Sequence, residues 1–203
     1  IIHKQITCKT HLIPIMSFSN GVNCVNPSTA LTLADRTNWT LNHFEMPLIK
    51  FQDQTLQKLN FENTNLSNSN FKRSVFTDVK FSNVNFTGAN LQNIKGSQAQ
   101  MQESIFCGAK LEGADLSGAR MEGADFTGAG LQVANLSRCV LKNSNFKGAD
   151  LKGANLRYTI GLTKDQIESA LIDKNTLLPS YLKVEWKSEN EFECHAVESK
   201  HSS

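Results

Sequence analysis

Every fifth residue from Leu56 to Leu156 is Leu, Phe or Met, with Gly96 the one departure. Those twenty-one central sites hold ten Leu, eight Phe and two Met besides the glycine. Two residues before each stands a second periodic site, mostly small, with ten Ala, four Ser, one Thr and one Cys. The middle residue between the two is Asn or Asp in eleven cases. A helix repeats at about 3.6 residues and a strand at about 2, so a five-residue period fits neither. It fits a short extended piece followed by a corner. In Ala-Asp-Leu, the first and third side chains point to one side and the middle one to the other. A two-residue turn then redirects the chain. Eight repeats carry Gly at the second corner site, where a tight turn favours a permissive backbone. If each turn bends the chain by about a right angle, four repeats close a square coil. Successive coils stack at the strand spacing of about 4.8 Å, and some five of them make a rod about 25 Å tall.

These tandem A(D/N)LXX units, shown plainly in GAKLEGADLSGARMEGADFTGAG, resemble the pentapeptide-repeat family. The resemblance covers about half the chain. It implies an all-β solenoid, the right-handed quadrilateral β-helix, with Leu/Phe and Ala inside. With four repeats to a coil, residues twenty apart become axial neighbours. Phe86, Phe106, Phe126 and Phe146 should form one interior ladder, and Leu91, Leu111, Leu131 and Leu151 another. At Gly96 the preceding small site holds Ile94, so volume moves from one inward site to the other.

Each end of a stacked coil exposes apolar cross-section and unpaired edges, and both need caps. Thr163 with Gln166 three residues on reads as a helix start with a capping box, and Leu162 and Ile167 are placed for a hydrophobic staple. Ile167, Ala170 and Leu171 are expected on one helix face. The order from Gly161 through Leu178-Pro179 to Leu182 is similar to the ending of many bacterial pentapeptide-repeat proteins. The chain therefore divides into 1–50, a cap, a linker or degenerate coils traced back through Phe51, Met46 and Leu41; 51–160, the β-helix; 161–184, a C-terminal helical cap; and 185–203, a polar tail expected to fray.

No catalytic, cofactor-binding or metal-binding constellation stands out, and the chain reads as non-enzymatic. His3, His11, His43, His195 and His201 all lie outside the repeats. None of the five cysteines forms a CxxC pair; Cys139 occupies an inward small site and Cys107 should face outward. An odd cysteine count suits a reducing compartment, and a cytoplasmic location is the reading. No apolar run reaches the length of a membrane span.

Function must then reside on faces, edges or ends. The best-known specialised role in the family is mimicry of duplex DNA against gyrase, which needs a strongly acidic rod. Here the formal net charge is +2. The cations Arg138, Lys142, Lys147, Lys152 and Arg157 make the C-terminal part of the rod basic. The preferred reading is a scaffold or protein-protein interaction module for an unknown protein partner. The alternative is a nucleic-acid- or topoisomerase-related binder using those five cations. In some family members the C-terminal helix mediates dimerisation, which makes Leu162, Ile167, Leu171, Leu178 and Leu182 candidates for a homodimer contact.

Overall fold

The computed structural model describes residues 45–189 and 191–197. Its organising feature is a run of parallel bridges between residues twenty apart, from Glu45↔Asn65 to Val140↔Ile160. One such contact widens into two short strands, β1 (Thr55–Gln57) and β2 (Val75–Thr77), paired in parallel with Leu56 opposite Phe76. A chain that pairs with itself every twenty residues and turns every five is a four-cornered coil. The coil extends back at least to Glu45, earlier than the boundary expected at residue 51. Met46 and Phe51 are buried in it, while Leu41 and the rest of 1–44 lie outside the described residues.

One repeat shows why the pattern holds. In Val84-Asn85-Phe86-Thr87-Gly88, the Asn85 N–H donates down to the Thr64 carbonyl at 3.0 Å. The N–H groups of Phe86 and Gly88 donate up to Ile105 and Cys107 at 2.7 and 3.0 Å. Ala89 N–H closes the turn onto the Phe86 carbonyl at 2.9 Å. Val84 N–H goes to Ser104 Oγ of the next coil at 3.1 Å, and the remaining donor, Thr87 N–H, is taken by Asn85 Oδ1 at 2.9 Å. That last bond explains the middle residue. Each of the eleven Asn or Asp residues there accepts from the N–H two residues on, a local turn that Asn and Asp are suited to form.

Corners are type II turns with the second corner residue in the left-handed region. This holds where that residue is not glycine: Asn83, Arg138, Val133 and Tyr158 all have φ between 57° and 63°. The axial bonds of the stack impose the conformation, and glycine only makes it cheaper.

The inward sites are packed solid. Phe86, Phe106, Phe126 and Phe146 are fully buried, and their rings stack at centroid distances of 5.1, 4.9 and 5.1 Å with planes within 9° of parallel. Leu91, Leu111, Leu131 and Leu151 are likewise fully buried. The missing side chain at Gly96 is covered by its axial neighbours as well as by Ile94: a Cβ there would meet Leu116 Cδ2 at 3.2 Å and Phe76 Cδ2 at 3.3 Å. Small-site hydroxyls are satisfied within the stack: Ser74 Oγ donates to the Phe51 carbonyl of the coil beneath at 2.5 Å, and Ser144 Oγ to the Leu141 carbonyl of its own coil at 2.7 Å.

The C-terminal end departs from the sequence expectation in two ways. Thr163 caps α1 (Lys164–Glu168) with the full capping box, but the helix is only five residues long. Leu171 is therefore not on its face with Ile167. It bridges Asp150 and its side chain is 51% exposed, because the edge amide of Leu151 draws the Leu171 carbonyl into the ladder at 2.7 Å. The polar tail is also corrected. β3 (Leu182–Trp186) and β4 (Phe192–Ala196) form an antiparallel hairpin. Its inner side is apolar enough to pack, with Leu182 and Cys194 buried and Trp186 against Phe192 at 5.3 Å. Edge carbonyls of the last coil are closed by side chains: Gln166 Nε2 donates to Leu141 and Ser144, and Tyr181 OH to Thr159, while Thr176 Oγ1 lies 3.1 Å from the Leu151 carbonyl and donates to Asp173 Oδ1 at 2.9 Å. Gly153 N–H, which has no further coil above it, donates to Asp173 Oδ1 at 2.9 Å.

Three outcomes follow from this packing. Phe126→Ala opens a cavity in the ladder and costs about 3–5 kcal/mol in denaturant unfolding, while exposed Lys147→Ala costs under about 0.5. Asn90→Ala leaves the Gln92 N–H without its 3.2 Å partner. The expected loss, read in the same assay, is about 1 kcal/mol. Burial, the largest influence on Asp173, pushes its carboxyl up, but the donors from Gly153, Thr176 and Asn175 together hold it below the ordinary value of 3.8. A depressed carboxyl stabilises above its unfolded value and loses that contribution as pH falls through its folded one. Amide-exchange protection at Gly153 should drop as pH falls below the ordinary carboxylate range, ahead of any change at Gly128, which donates to the Lys147 carbonyl.

Candidate functional site

The five C-terminal cations do not form one patch. Stacking at a period of twenty places Lys142 over Glu122, Lys147 over Thr127, Lys152 over Gln132 and Arg157 over Ser137, as the bonds from Gly123, Gly128, Val133 and Arg138 show. Residues five apart stand at successive corners, so these four cations ring the coil and face four directions. Only Arg138 and Arg157 share a corner. The continuous basic strip expected for a nucleic-acid track is absent among the described residues for this geometric reason.

The candidate dimer residues are also reassigned. Leu162, Ile167 and Leu182 are buried within their own chain, and Leu178 is half-buried against the core. Leu171 alone of the five is exposed. Once the cap folds onto the last coil, its apolar side chains are spent on the rod's own end.

The corner shared by Arg138 and Arg157 is hollow. An open depression of about 460 Å³ runs along it, floored by the column Ser97, Ser117 and Ser137 and flanked by Asn135 and Asn155. Its hollowness comes from Gly118, at φ 70°, where a Cβ would meet nothing nearer than Gln98 Cγ at 3.5 Å. Asn155 Nδ2 donates to Asn135 Oδ1 at 3.4 Å, and Asn135 Nδ2 to Asp115 Oδ1 at 3.1 Å, so one wall is an amide ladder along the axis. At the upper end the Arg138 guanidinium lies over the Tyr158 ring, 6.0 Å from its centroid. Sequence reasoning named these two arginines for their charge. It missed the groove, whose signal was the run of Ser97, Ser117 and Ser137 at positions twenty apart with the one glycine, Gly118, beside the middle serine.

Reactive groups elsewhere are quiet. Burial pushes the Cys139 thiol up to about 12, and its Sγ–H donates to the Leu116 carbonyl at 3.0 Å. Cys107 is half-buried, raised first by burial and then by Asp125, whose carboxylate accepts its Sγ–H at 3.3 Å. Among the described residues no cluster of His, Cys, Asp and Glu could hold a metal ion, and no helix is long and apolar enough to cross a membrane. His195, on β4, faces Glu185 and Glu193 at 4.0 and 3.8 Å. Cys8, Cys24 and the other histidines lie outside the described residues.

Residues 79–156 match the model of the pentapeptide repeat region, and residues 56–93 match that of pentapeptide repeats in eight copies. The repeat region belongs to the pentapeptide-repeat family. Solved structures similar to it include QnrB1, a plasmid-mediated fluoroquinolone resistance protein, at 15% identity over 66% of this chain and 92% of that one, with a TM-score of 0.32. A pentapeptide repeat protein from the Arabidopsis thaliana thylakoid lumen shares 25% identity over 61% of this chain and 72% of its own, with a TM-score of 0.31. HetL, a pentapeptide repeat protein involved in heterocyst differentiation regulation in the cyanobacterium Nostoc sp. strain PCC 7120, shares 21% over 72% and 86%, with a TM-score of 0.24. No curated protein matches the chain.

Proposed function

We propose that this pentapeptide-repeat protein is a non-enzymatic scaffold, a right-handed quadrilateral β-helix that binds a protein partner on its outer surface. The observation that carries this reading is the filled interior. From Leu56 to Leu156 each Leu, Phe and Met at a central site is buried, and their rings and methyl groups leave the inside of the coil no room for a ligand. Chemistry and recognition must therefore use the exterior. That exterior is well suited to recognition, because axial backbone bonds tie each coil to the next and present the outward side chains at fixed spacing. Such preorganised surfaces lose little conformational entropy on binding. A reducing compartment such as the cytoplasm goes with this reading, supported by the free thiols of Cys107, Cys139 and Cys194.

The test is a pull-down from the native source with three baits: the intact chain, Arg138→Glu with Arg157→Glu, and Lys147→Glu with Lys152→Glu. A protein recovered by the intact chain and lost with one charge-reversed bait but not the other supports a face-specific scaffold. Recovery of nothing but nucleic acid, equally weakened by both reversals, overturns it.

A further inference from the structure

One corner of the rod carries two guanidinium groups that the protein leaves unneutralised. Arg138 and Arg157 sit on adjacent coils, with the Arg138 N–H donating to the Arg157 carbonyl at 2.9 Å. Both side chains are exposed. Elsewhere on the rod arginines are paired: Arg73 with Asp53 at 2.5 Å and Arg120 with Glu122 at 2.8 Å. Among the described residues neither Arg138 nor Arg157 has a carboxylate within ion-pair reach, and no residue lining the depression beside them is acidic. The stack on Tyr158 holds the Arg138 guanidinium in a defined position. Below it, the hydroxyls of Ser117 and Ser137 make no hydrogen bond within the described residues, although the backbone N–H of each is tied to Asp115 or Asn135.

We propose that this corner groove docks an acidic, extended peptide segment of a protein partner. Carboxylates of the segment pair with Arg138 and Arg157, and its backbone polar groups meet the Ser117 and Ser137 hydroxyls. The inference rests on the scaffold reading and names the partner's chemistry. Three features favour a peptide. The groove is open along its length, so it encloses no small ligand. Planar guanidinium groups accept carboxylates in bidentate fashion, a geometry lysine does not offer. The floor between them is neutral and hydroxyl-bearing, which suits a peptide backbone better than a second charge. The other cations of the coil face different directions, so the groove lacks the long basic track that a nucleic-acid strand requires.

The probe is fluorescein-labelled hexaglutamate, titrated in fluorescence anisotropy against the full chain and three variants. Arg138→Glu with Arg157→Glu removes the proposed contacts. Lys147→Glu with Lys152→Glu makes the same charge change at other corners. Gly118→Gln fills the groove with the residue already tolerated at φ 61° in the coil beneath, at Gln98. All the altered side chains are outward, so circular dichroism should match the parent chain throughout; the two charge reversals should keep its melting temperature, while Gly118→Gln, at φ 70°, should melt slightly lower with the same spectrum. The expected result is saturable binding, weakened at least about tenfold by the arginine reversal and by Gly118→Gln, and less than about twofold by the lysine reversal. No saturable binding, or equal loss in both reversals, overturns the proposal. A single-stranded oligonucleotide or inorganic phosphate that displaces the peptide at a lower concentration than free hexaglutamate does reassigns the groove and overturns it as well. If the arginine reversal still captures the native partner while hexaglutamate binding fails, the groove proposal falls and the scaffold reading stands.

Discussion

The structure depends on how each five-residue repeat disposes of its backbone donors. In a regular repeat two N–H groups point to the coil above, one to the coil below and one closes the turn, and in the eleven repeats with Asn or Asp in the middle that side chain takes the fifth. Buried backbone groups cannot go unpaired without a cost of about 1–3 kcal/mol each. The coil therefore exists only as a stack, since a single turn of it would strand most of its donors. Everything else follows from the twenty-residue register this imposes. Side chains at an inward site stack on the residue twenty along, so the Phe86–Phe146 ladder repeats at close to the strand spacing.

That rigidity has a consequence at the corners. Axial bonds from the second corner amide hold residues as unsuited as Val133 and Arg138 in the left-handed region. The corner backbone is set, so its side chains are free to vary, and variation there shapes the outer surface. A glycine at 118 hollows a corner that Gln98 and Arg138 bound on either side. The same logic governs the end of the rod. The last coil's donors and acceptors are met by Leu171, Asp173, Thr176, Leu177 and Tyr181, which imitate a further coil before the hairpin covers it.

How much of this was legible in the sequence varied with range. The five-residue period is a local signal and it assigns inward and outward residues from Leu56 onward without reference to any contact. The preference for Asn and Asp at the middle site was visible, but its reason was not, because the bond it makes spans only two residues and leaves no periodic trace of its own. The hairpin of Leu182–Trp186 and Phe192–Ala196 was unreadable in a segment rich in Lys and Glu. Its apolar residues, Val184, Trp186, Phe192 and Cys194, are few, and their value comes from the core beneath them. Leu171 was misplaced for a related reason: helical spacing put it beside Ile167, but the unpaired edge of the last coil competed successfully for its backbone.

By itself the sequence determined the architecture of the repeat region and the family it belongs to, because a strict period is a statement about every coil at once. Tertiary structure alone decided which charges stand together. Arg138, Lys142, Lys147, Lys152 and Arg157 are a basic cluster along the chain, yet a corner every five residues turns neighbours in sequence to different sides. The same coil brings Ser97, Ser117, Arg138 and Arg157 from four successive turns to one groove. Proximity along the chain and proximity in space are unrelated at the surface of this rod, since the fold aligns residues by twenties and separates them by fives.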